Sequence, residues 1–307
     1  MQVLALDTET TGLSYWDTAF CVSAAWRNDK GELESVVYYD NTFRVPPAVS
    51  DFVFHNAKFD LQKMQLSSLL ATWDWRNIHD TECLIHLVDE QQPKALKRLA
   101  KDLLGLDTDE ADVLRAARTK LKLTKKDGYD ALPRDVLEPY ALKDAEFTLL
   151  LFEHLWPIVS NDAELLSLYR EEQELMGVLY DMEAKGLGVD LDYVNEKAKE
   201  LAGEILATDL HIRDMVGDED FNSGSWQQIT AALAERGIKV GSTAKAVLVT
   251  LDDDLARAIL SIRHNTKLYS TYFKPLQAEV KDGILHPNHK QWGTRGRRFA
   301  AGKVEDG

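Results

Sequence analysis

Short hydrophobic runs, each about the length of a strand, dominate the start of the chain. Such runs occupy 2–7, 19–28 and 34–40, and the last two are separated by Asp29-Lys30-Gly31, which is typical of a hairpin turn. A further apolar run, 51–57, comes next. These segments predict an antiparallel meander of three strands, with a fourth strand after it.

Beyond residue 57 the hydrophobic positions mostly repeat with the 3.6-residue period of a helix, beginning with Leu61 and Met64. Predicted helices cover 58–70, 80–90, 94–105 and 132–157, with a short strand near 77–79. Gly105 closes the third helix and Trp156-Pro157 marks the end of the fourth, whereas no element is predicted in the basic segment 106–130. A meander followed by β-α-β units and a final helix predicts a ribonuclease-H-like α/β fold with a mixed sheet.

After Pro157 the pattern is mainly helical. A helical rhythm runs through Leu165, Leu168, Leu175, Val178, Leu179 and Met182, and further helices are predicted at 192–216, 225–236 and 253–268. A chain of 307 residues is also about twice the common size of a domain. We therefore predict two domains, 1–160 and 161–307, with the boundary near 158–162 and the second domain mainly helical.

The charge balance bears on the kinds of partner. With 36 Lys and Arg against 51 Asp and Glu, the formal net charge is −15, which argues against nucleic acid because phosphate binding rests on cations. Two basic stripes reverse this locally: 113–126 has six basic residues and no acid, and 290–303 has five. Local stripes matter more to a polyanion than net charge does, so DNA stays a candidate partner. A solvated helix face explains the first stripe equally well.

Cysteine usage and hydropathy predict a cytoplasmic protein. Cys21 and Cys83 lie far apart in apolar segments, as expected for buried free thiols in a reducing compartment. The spacing of cysteines and histidines does not suggest a zinc site. The sequence also lacks a run of about 18 apolar residues, so no membrane span is predicted. Residues 1–10 lead directly into acids and are predicted to form a strand, not a signal peptide.

Three short motifs place acidic residues at the ends of predicted elements. Asp7 and Glu9, two positions apart in the first strand, are expected on the same face of it. Asp60 comes at a strand-to-helix turn, and Tyr140 and Asp144, four positions apart, share one face of the last helix. Each motif is weak alone because acids are frequent here, but their joint order and placement predict a site.

Clustered carboxylates are the ligands that hard divalent cations prefer. Two ions such as Mg²⁺ or Mn²⁺, about 4 Å apart, can activate water and stabilise the leaving oxygen of a phosphodiester. Without cations the carboxylates would repel one another and raise each other's pKa. We therefore predict a two-metal site with the ligands Asp7, Glu9, Asp60 and Asp144. The Tyr140 hydroxyl, one helical turn from Asp144, can hold the attacking water in line.

These motifs resemble those of a known enzyme family. DTETTGL (7–13), HNAKFD (55–60) and YALKD (140–144) are similar to the three motifs of the DEDDy group of 3′→5′ exonucleases. More narrowly, they resemble the proofreading domain of family A (DNA polymerase I-like) polymerases of the phage type. This resemblance continues through 80–105 and 143–157. It implies an enzyme that releases nucleoside monophosphates from single-stranded or frayed 3′ ends of DNA.

The resemblance also implies a role for each matching residue. Asp7, Glu9 and Asp144 would hold one metal ion, and Asp7 with Asp60 would contact the second through the phosphate and waters. Tyr140 would orient the nucleophilic water. The implied substrate contacts are Thr10 and Leu13 at the terminal nucleotide and Asn56 and Phe59 in the single-strand cleft. A core position explains Leu13 equally well.

The second half resembles the start of a family A polymerase domain and its thumb, through 172–195, 221–238, 262–277 and 282–298. The DNA contacts that this implies are Asn222, Ser225, Gln228, Lys267, Tyr272 and Arg297. The family normally continues with palm carboxylates and a fingers helix, which do not occur before residue 307. We expect no nucleotide addition by this chain alone, and a separate palm and fingers chain is a candidate partner.

Two other functions stay open. DEDDy sites also trim RNA, and nothing around the predicted metals reads a 2′-hydroxyl unambiguously, so an exoribonuclease remains an alternative. The other is a non-catalytic subunit that binds primer-template. The intact set of four carboxylates and one tyrosine argues against this last possibility.

Overall fold

The computed structural model describes residues 2–39, 42–45, 49–70, 72–124 and 127–302. Two predictions touch residues outside these ranges: Asp40 at the end of a predicted strand, and Lys125, Lys126 and Lys303 in the basic stripes. The contacts within the chain divide it into two compact units. Unit 1 is Met1–Lys185 together with Pro287–Gly307, and unit 2 is Gly186–His286. The domains 1–160 and 161–307 are a different division and stay a prediction.

Unit 1 is built on a five-stranded sheet. Its strands are β1 (Val3–Thr10), β2 (Ala19–Arg27), β3 (Leu33–Tyr39), β4 (Asp51–Phe54) and β5 (Ile78–Asp80). They lie in the order β3-β2-β1-β4-β5. The first three pair antiparallel, whereas β4 runs parallel to β1 and β5 parallel to β4. The predicted meander and the mixed-sheet α/β class are therefore confirmed.

Within the described part of unit 1, six α-helices accompany this sheet: α1 (Ala57–Leu66), α2 (Thr81–Val88), α3 (Leu96–Leu104), α4 (Asp109–Lys120), α5 (Arg134–Ser160) and α6 (Ala163–Lys185). The long helix α5 packs along β1 and β2. Leu6 and Val22 of the strands and Leu149 and Phe152 of α5 are buried in one core. This burial removes apolar surface from water at about 25 cal/mol per Å², and it fixes α5 against the strands.

Helix α4 lies in the segment for which the sequence predicted no element. Its only fully buried hydrophobic residue within the described range is Leu114, so the apolar period is weak. The charges are arranged as a helix prefers: Asp109 and Glu110 lie in the first turn, and Arg118 and Lys120 in the last. Acids near the N-terminus and bases near the C-terminus interact favourably with the helix dipole. The placement of charges therefore favours this helix, although hydrophobic spacing does not predict it.

Helix α5 corrects a predicted boundary, because it passes through Pro157 and ends at Ser160. A proline inside a helix removes one hydrogen bond and crowds the preceding turn, at a cost of about 3 kcal/mol. Burial of Leu155 and Val159 on either side of Pro157 offsets that cost.

Unit 2 is mainly helical, as predicted for this part of the chain. It contains β6 (Leu187–Gly188), α7 (Leu191–Val216), α8 (Trp226–Glu235), α9 (Lys245–Leu248), α10 (Asp254–Leu268), α11 (Lys274–Glu279) and β7 (Ile284–Leu285). A core of its own gathers Ile212, Ile229, Leu233, Leu255 and Ile259. Across the described ranges of the whole chain, none of the helices has the length and apolar character needed to span a membrane.

After unit 2 the chain returns to unit 1 and forms an antiparallel pair, β8 (Asn288–Lys290) and β9 (Ala300–Gly302). Between these strands, Gln291 and Trp292 are buried against Glu172 of α6. Gln291 Nε2 donates to the Glu172 carbonyl oxygen at 3.0 Å and to its Oε2 at 2.5 Å, and Arg297 Nη1 lies 3.1 Å from Oε1. The buried carboxylate of Glu172 is thus fully engaged by this segment.

Candidate active site

Strand β1 carries the first two predicted ligands at its carboxyl end. Asp7 and Glu9 pair with Ser23 and Cys21 of β2, and alternation along the strand puts both carboxylates on one face of the sheet. Pairing with the parallel strand β4 ends at Ala5, so both acids lie beyond it. They occupy the carboxyl edge of the parallel part of the sheet, where ligands bind in open α/β folds.

The turn from β4 into α1 places Asp60 beside them. Asn56 adopts a left-handed conformation at φ 74°, and Asp60 follows in the first turn of α1. Its Oδ1 accepts hydrogen bonds from Thr8 N at 3.0 Å and Thr8 Oγ1 at 2.7 Å. Asp80 of β5 holds the turn in place by accepting from the backbone N–H groups of Asn56 at 3.2 Å and Ala57 at 2.8 Å.

Helix α5 adds Tyr140 and Asp144 from one of its faces. One carboxylate oxygen from each of Asp7, Glu9 and Asp144 lies within 4.8 Å of the other two, close enough for one metal ion. Glu9 and Asp144 are 4% and 6% exposed. Asp60 is not a member of this group of three, although it lines the same cavity.

Burial raises the pKa of each of these carboxylates, and repulsion within the set adds to this at Asp7 and Glu9. Burial raises the pKa of Asp7 well above its usual value, and the charges of Asp144, Asp60 and Glu9 raise it further. Burial is also the main cause of the raised pKa of Glu9 and Asp144. Burial raises the pKa of Asp60 to about 8, against the opposing effect of the Thr8 hydrogen bonds. Bound cations would counter the repulsion among these carboxylates and lower their pKa values.

Glu9 supplies a direct test of whether the residues fit a metal. Its Oε1 atom is buried, and no hydrogen-bond donor reaches it from the described residues. A buried acceptor without a partner costs about 1–3 kcal/mol, so such an atom calls for an explanation. Hard oxygen donors grouped around it are the ligands that Mg²⁺ and Mn²⁺ prefer, and the set therefore fits a divalent cation.

A cavity of about 220 Å³ opens over the carboxylates. The five predicted catalytic residues line it, and so do all four predicted substrate contacts, Thr10, Leu13, Asn56 and Phe59. Thr10 Oγ1 donates to the Gly12 carbonyl at 2.9 Å, which fixes the loop after β1. The structure thus brings together residues that are spread over 137 positions of sequence, from Asp7 to Asp144.

Two basic residues of the cavity were not among the predicted site residues. Lys97 of α3 contacts Asp144 Oδ1 and lies 2.7 Å from Glu110 Oε1. Arg118 of α4 stacks over the Tyr129 ring at 4.8 Å. Lys97 belongs to an amphipathic helix rich in lysine, so sequence offered no means of singling it out. Arg118 did carry a signal, since it lies in the first basic stripe.

The predicted DNA contacts around α8 form a local capping network. Ser225 is the N-cap of α8, and its hydroxyl accepts from Gln228 N at 3.4 Å. Gln228 Oε1 accepts from Asn222 N at 2.6 Å, and Asn222 Oδ1 accepts from Gly224 N at 2.8 Å. These contacts give the three residues a structural role at the start of the helix, and their DNA contacts stay a prediction.

The other predicted DNA contacts lie in different surroundings. Lys267 at the end of α10 is exposed, and Tyr272 in the following π-helical turn, Tyr269–Phe273, is 54% exposed. Arg297 belongs to unit 1, where its guanidinium pairs with Glu172. Arg297 therefore differs from Lys267 and Tyr272, because its charge is paired with a buried carboxylate.

Comparison with known proteins finds relatives of this chain among DNA polymerases. The chain is 28% identical to the DNA polymerase of Escherichia phage T5, over 82% of this chain and 33% of that protein. It is 26% identical to DNA polymerase DpoZ of Vibrio phage phiVC8, over 94% and 52% of the two proteins. With the thermostable DNA polymerase I of Thermus aquaticus it shares 34% identity over 49% of this chain and 20% of the relative. The chain thus spans a third of the T5 polymerase and about half of the vibriophage enzyme.

A solved structure described as the POL domain of Pol1 from M. smegmatis, in complex with DNA primer-template and dNTP, has the same fold. It superposes with a TM-score of 0.70 over 97% of this chain and 50% of that chain, at 19% identity. Residues 1–160, which contain all five predicted catalytic residues, match the family model of the 3′-5′ exonuclease of A-type DNA polymerases. The chain belongs to the DNA polymerase A 3′-5′ exonuclease family.

Proposed function

We propose that the chain is a two-metal-ion 3′→5′ DNA exonuclease of the proofreading type, which releases nucleoside monophosphates from single-stranded or frayed 3′ ends. The observation that carries this proposal is the group of three carboxylate oxygens from Asp7, Glu9 and Asp144, within 4.8 Å of one another. The buried, unpartnered Oε1 of Glu9 supports a cation at that point.

Each ligand has a place in this proposal. Asp7, Glu9 and Asp144 would hold one ion, and Asp7 with Asp60 would serve the second. Two bound divalent ions supply an activated water and stabilise the charge of the leaving oxygen. Thr8 fixes the Asp60 carboxylate with two hydrogen bonds, so that this ligand is held in one orientation before metal and DNA bind.

Tyr140 acts by orientation. Burial and the charge of Asp144 raise the pKa of its hydroxyl well above the usual value, so that the phenol stays protonated at neutral pH. The Tyr140 side chain lowers the pKa of Asp144, which is consistent with a phenol close to the metal ligands. A neutral, fixed hydroxyl can align a water molecule for attack without acting as the general base.

The cavity beside the carboxylates suits a terminal nucleotide. Leu13 and Phe59 offer apolar surface to a base and sugar, whereas Thr10 and Asn56 offer hydrogen-bonding groups. Base stacking on aromatic side chains tolerates all sequences, as removal of any mispaired 3′ nucleotide requires.

DNA is the preferred substrate in this proposal because the relatives are DNA polymerases and the similar solved structure holds a DNA primer-template. By the same likeness, we propose that unit 2 works as a thumb that holds DNA. Matched DNA and RNA oligonucleotides, digested in parallel, distinguish this substrate from an RNA-trimming activity. Faster degradation of the RNA strand would overturn the DNA assignment.

We also propose that this exonuclease serves a family A replicative polymerase in the cytoplasm, host cytoplasm in the case of a phage protein. The relatives support this, since two of them are DNA polymerases of phages. Purification of the chain from its native source should recover a polymerase with it. Recovery of the chain without any polymerase would count against such a partner.

A time course on a 5′-labelled single-stranded oligonucleotide tests the proposed reaction. With Mg²⁺ or Mn²⁺ the labelled strand should shorten stepwise, and with EDTA it should stay intact. Asp7→Ala should abolish the shortening, which separates this chain's activity from a contaminant and from a non-catalytic DNA-binding role. Adding dNTPs with a primer-template should give no extension, as expected for the chain alone. Shortening that persists in EDTA or in the Asp7→Ala variant would refute the proposed site.

A further inference from the structure

Lys97 places an ammonium group against the proposed metal ligands. Its Nζ contacts Oδ1 of Asp144, and the carboxylate of Asp144 also lies close to those of Asp7 and Glu9. The Lys97 side chain is 20% exposed and lines the cavity. A buried positive charge at this point offsets part of the repulsion among the carboxylates, and it lowers the pKa of both Asp7 and Glu9.

A second carboxylate, which is not a proposed ligand, holds the same ammonium group. Glu110 Oε1 lies 2.7 Å from Lys97 Nζ, and the Glu110 side chain is 13% exposed. Glu110 lies in the first turn of α4, where the positive end of the helix dipole stabilises a negative charge. Lys97 therefore has two anionic partners, one inside the proposed metal site and one outside it.

Aromatic rings complete the surroundings of the ammonium group. Its Nζ lies 4.3 Å from the centroid of the Tyr140 ring and 4.9 Å from that of Phe147. The negative faces of such rings attract a cation at short range. Both rings belong to α5, as Asp144 does, so they hold the ammonium group beside that helix.

Electrostatic repulsion and steric crowding prevent one oxygen of Asp144 from binding the Lys97 ammonium group and a divalent ion at the same time. Asp144 Oδ1 cannot be a ligand of a divalent ion while Lys97 Nζ is in contact with it, since like charges at such a distance repel by about 4 kcal/mol or more. Four carboxylates carry four negative charges, which two divalent ions balance fully. Lys97 therefore loses most of its electrostatic attraction to Asp144 on metal binding, and Glu110 is already in reach.

We propose that Lys97 is a positioning residue that takes the place of a metal ion in the metal-free protein, paired with Asp144, and moves wholly to Glu110 when the site is loaded. This inference rests on the proposed function. Lys97 competes with divalent cations and so lowers their affinity, while it holds Asp144 and Tyr140 in place in their absence. Glu110 weakens that competition because it stabilises the displaced ammonium group.

Calorimetric titration of the full chain with Mn²⁺ tests the proposal, at a pH alkaline enough to leave the carboxylates ionised. Lys97→Met removes the competing charge and should tighten Mn²⁺ binding by about tenfold, whereas Lys97→Arg keeps the charge and should stay near the parent. Glu110→Gln should act in the opposite direction and weaken binding several-fold, because Lys97 is left with Asp144 alone. In the double variant Lys97→Met with Glu110→Gln, the affinity should match that of Lys97→Met, because Glu110 acts through Lys97.

Equal Mn²⁺ affinity in the parent, Lys97→Met and Glu110→Gln would overturn the inference, and so would weaker binding by Lys97→Met. Glu110→Gln keeps the test decisive if Lys97→Met fails to fold. Asp7→Ala reports on the proposed function separately. If the parent binds Mn²⁺ and Asp7→Ala does not, the metal site stands whatever Lys97 does. If the parent itself takes up no Mn²⁺, both proposals fail.

Discussion

At the scale of single residues, the molecule concentrates unfavourable charge at one point. Asp7, Glu9, Asp60 and Asp144 converge at the carboxyl edge of the sheet, and burial raises the pKa of each. Such an arrangement costs folding free energy when no cation is present.

Replacing Asp7 and Glu9 together by alanine should remove nearly all hydrolysis and leave the fold and single-strand binding mostly intact. The change deletes charges that repel other acids, so we expect no loss of thermal stability in EDTA. Circular dichroism and a labelled-oligonucleotide assay measure the two effects. Hydrolysis at the parent rate in the double variant would show that the reaction occurs elsewhere.

Tyr140→Phe should slow hydrolysis less than the double alanine change, by about tenfold, because it removes only the hydroxyl that aligns water. The ring that lies 4.3 Å from Lys97 Nζ is kept. Single-turnover rates at saturating Mg²⁺ measure the effect. A rate equal to that of the parent would exclude a role for the hydroxyl.

Stability in EDTA should depend on pH through Asp60. Its pKa rises from 3.8 to about 8 on folding, so the folded chain keeps a proton that the unfolded chain has lost. The stability contributed by this proton is complete below 3.8 and is lost as the pH rises toward 8. Melting temperatures of the parent should therefore fall more steeply across this window than those of Asp60→Asn.

Comparison with the Asp60→Asn variant cancels the opposite effect of His79, because burial lowers the pKa of His79 to about 4 in both proteins. Parallel curves would contradict the prediction.

At the scale of elements, one acidic residue organises the turn that carries Asp60. Asp80 accepts from the backbone N–H groups of Asn56, Ala57 and Glu82, and so joins the starts of α1 and α2. Asp80→Ala leaves buried donors without a partner and should cost about 1–3 kcal/mol of stability. It should also reduce hydrolysis, because Asp60 is no longer held in place.

A matched control for Asp80→Ala lies in unit 2. Asp253 caps α10 by accepting from Ala256 N at 3.0 Å, and Asp253→Ala should cost about 1 kcal/mol without slowing the hydrolysis of a short oligonucleotide. Urea unfolding and the nuclease assay compare the two variants. Equal activity in both would show that Asp80 does not position Asp60.

Most elements could be predicted from hydrophobic spacing, because β1 to β5 and the long helices bury regular apolar faces. The spacing failed at α4, where charge placement and one buried residue, Leu114, replace an apolar face. It also failed at Pro157, because burial of Val159 outweighs the local preference. The carboxylates could be found from their motifs, whereas Lys97 and Asp80 could not, since their roles depend on contacts with residues far along the chain.

At the scale of the whole molecule, metal binding at the proposed site would be linked to folding. A cation that binds the folded chain and not the unfolded chain stabilises it in proportion to the logarithm of its concentration. Mn²⁺ should therefore raise the melting temperature of the parent by several degrees and leave that of the Asp7→Ala, Glu9→Ala variant almost unchanged. Differential scanning calorimetry with and without EDTA measures this. An equal rise in both would place the ion at another site.

The chain leaves unit 1 after Lys185 and re-enters it at Pro287. Close to these crossings, Leu187 pairs with Leu285 and Gly188 with Ile284, so the two passages run side by side. Unit 2 is therefore an insertion whose ends are neighbours, and a short glycine-serine bridge from residue 185 to residue 287 could replace it. The shortened protein should still cut a short oligonucleotide, and loss of that activity with the fold intact would show that cleavage requires the inserted helices. Evolution could exchange or discard such a module in one step, without disturbing the carboxylates of the proposed site.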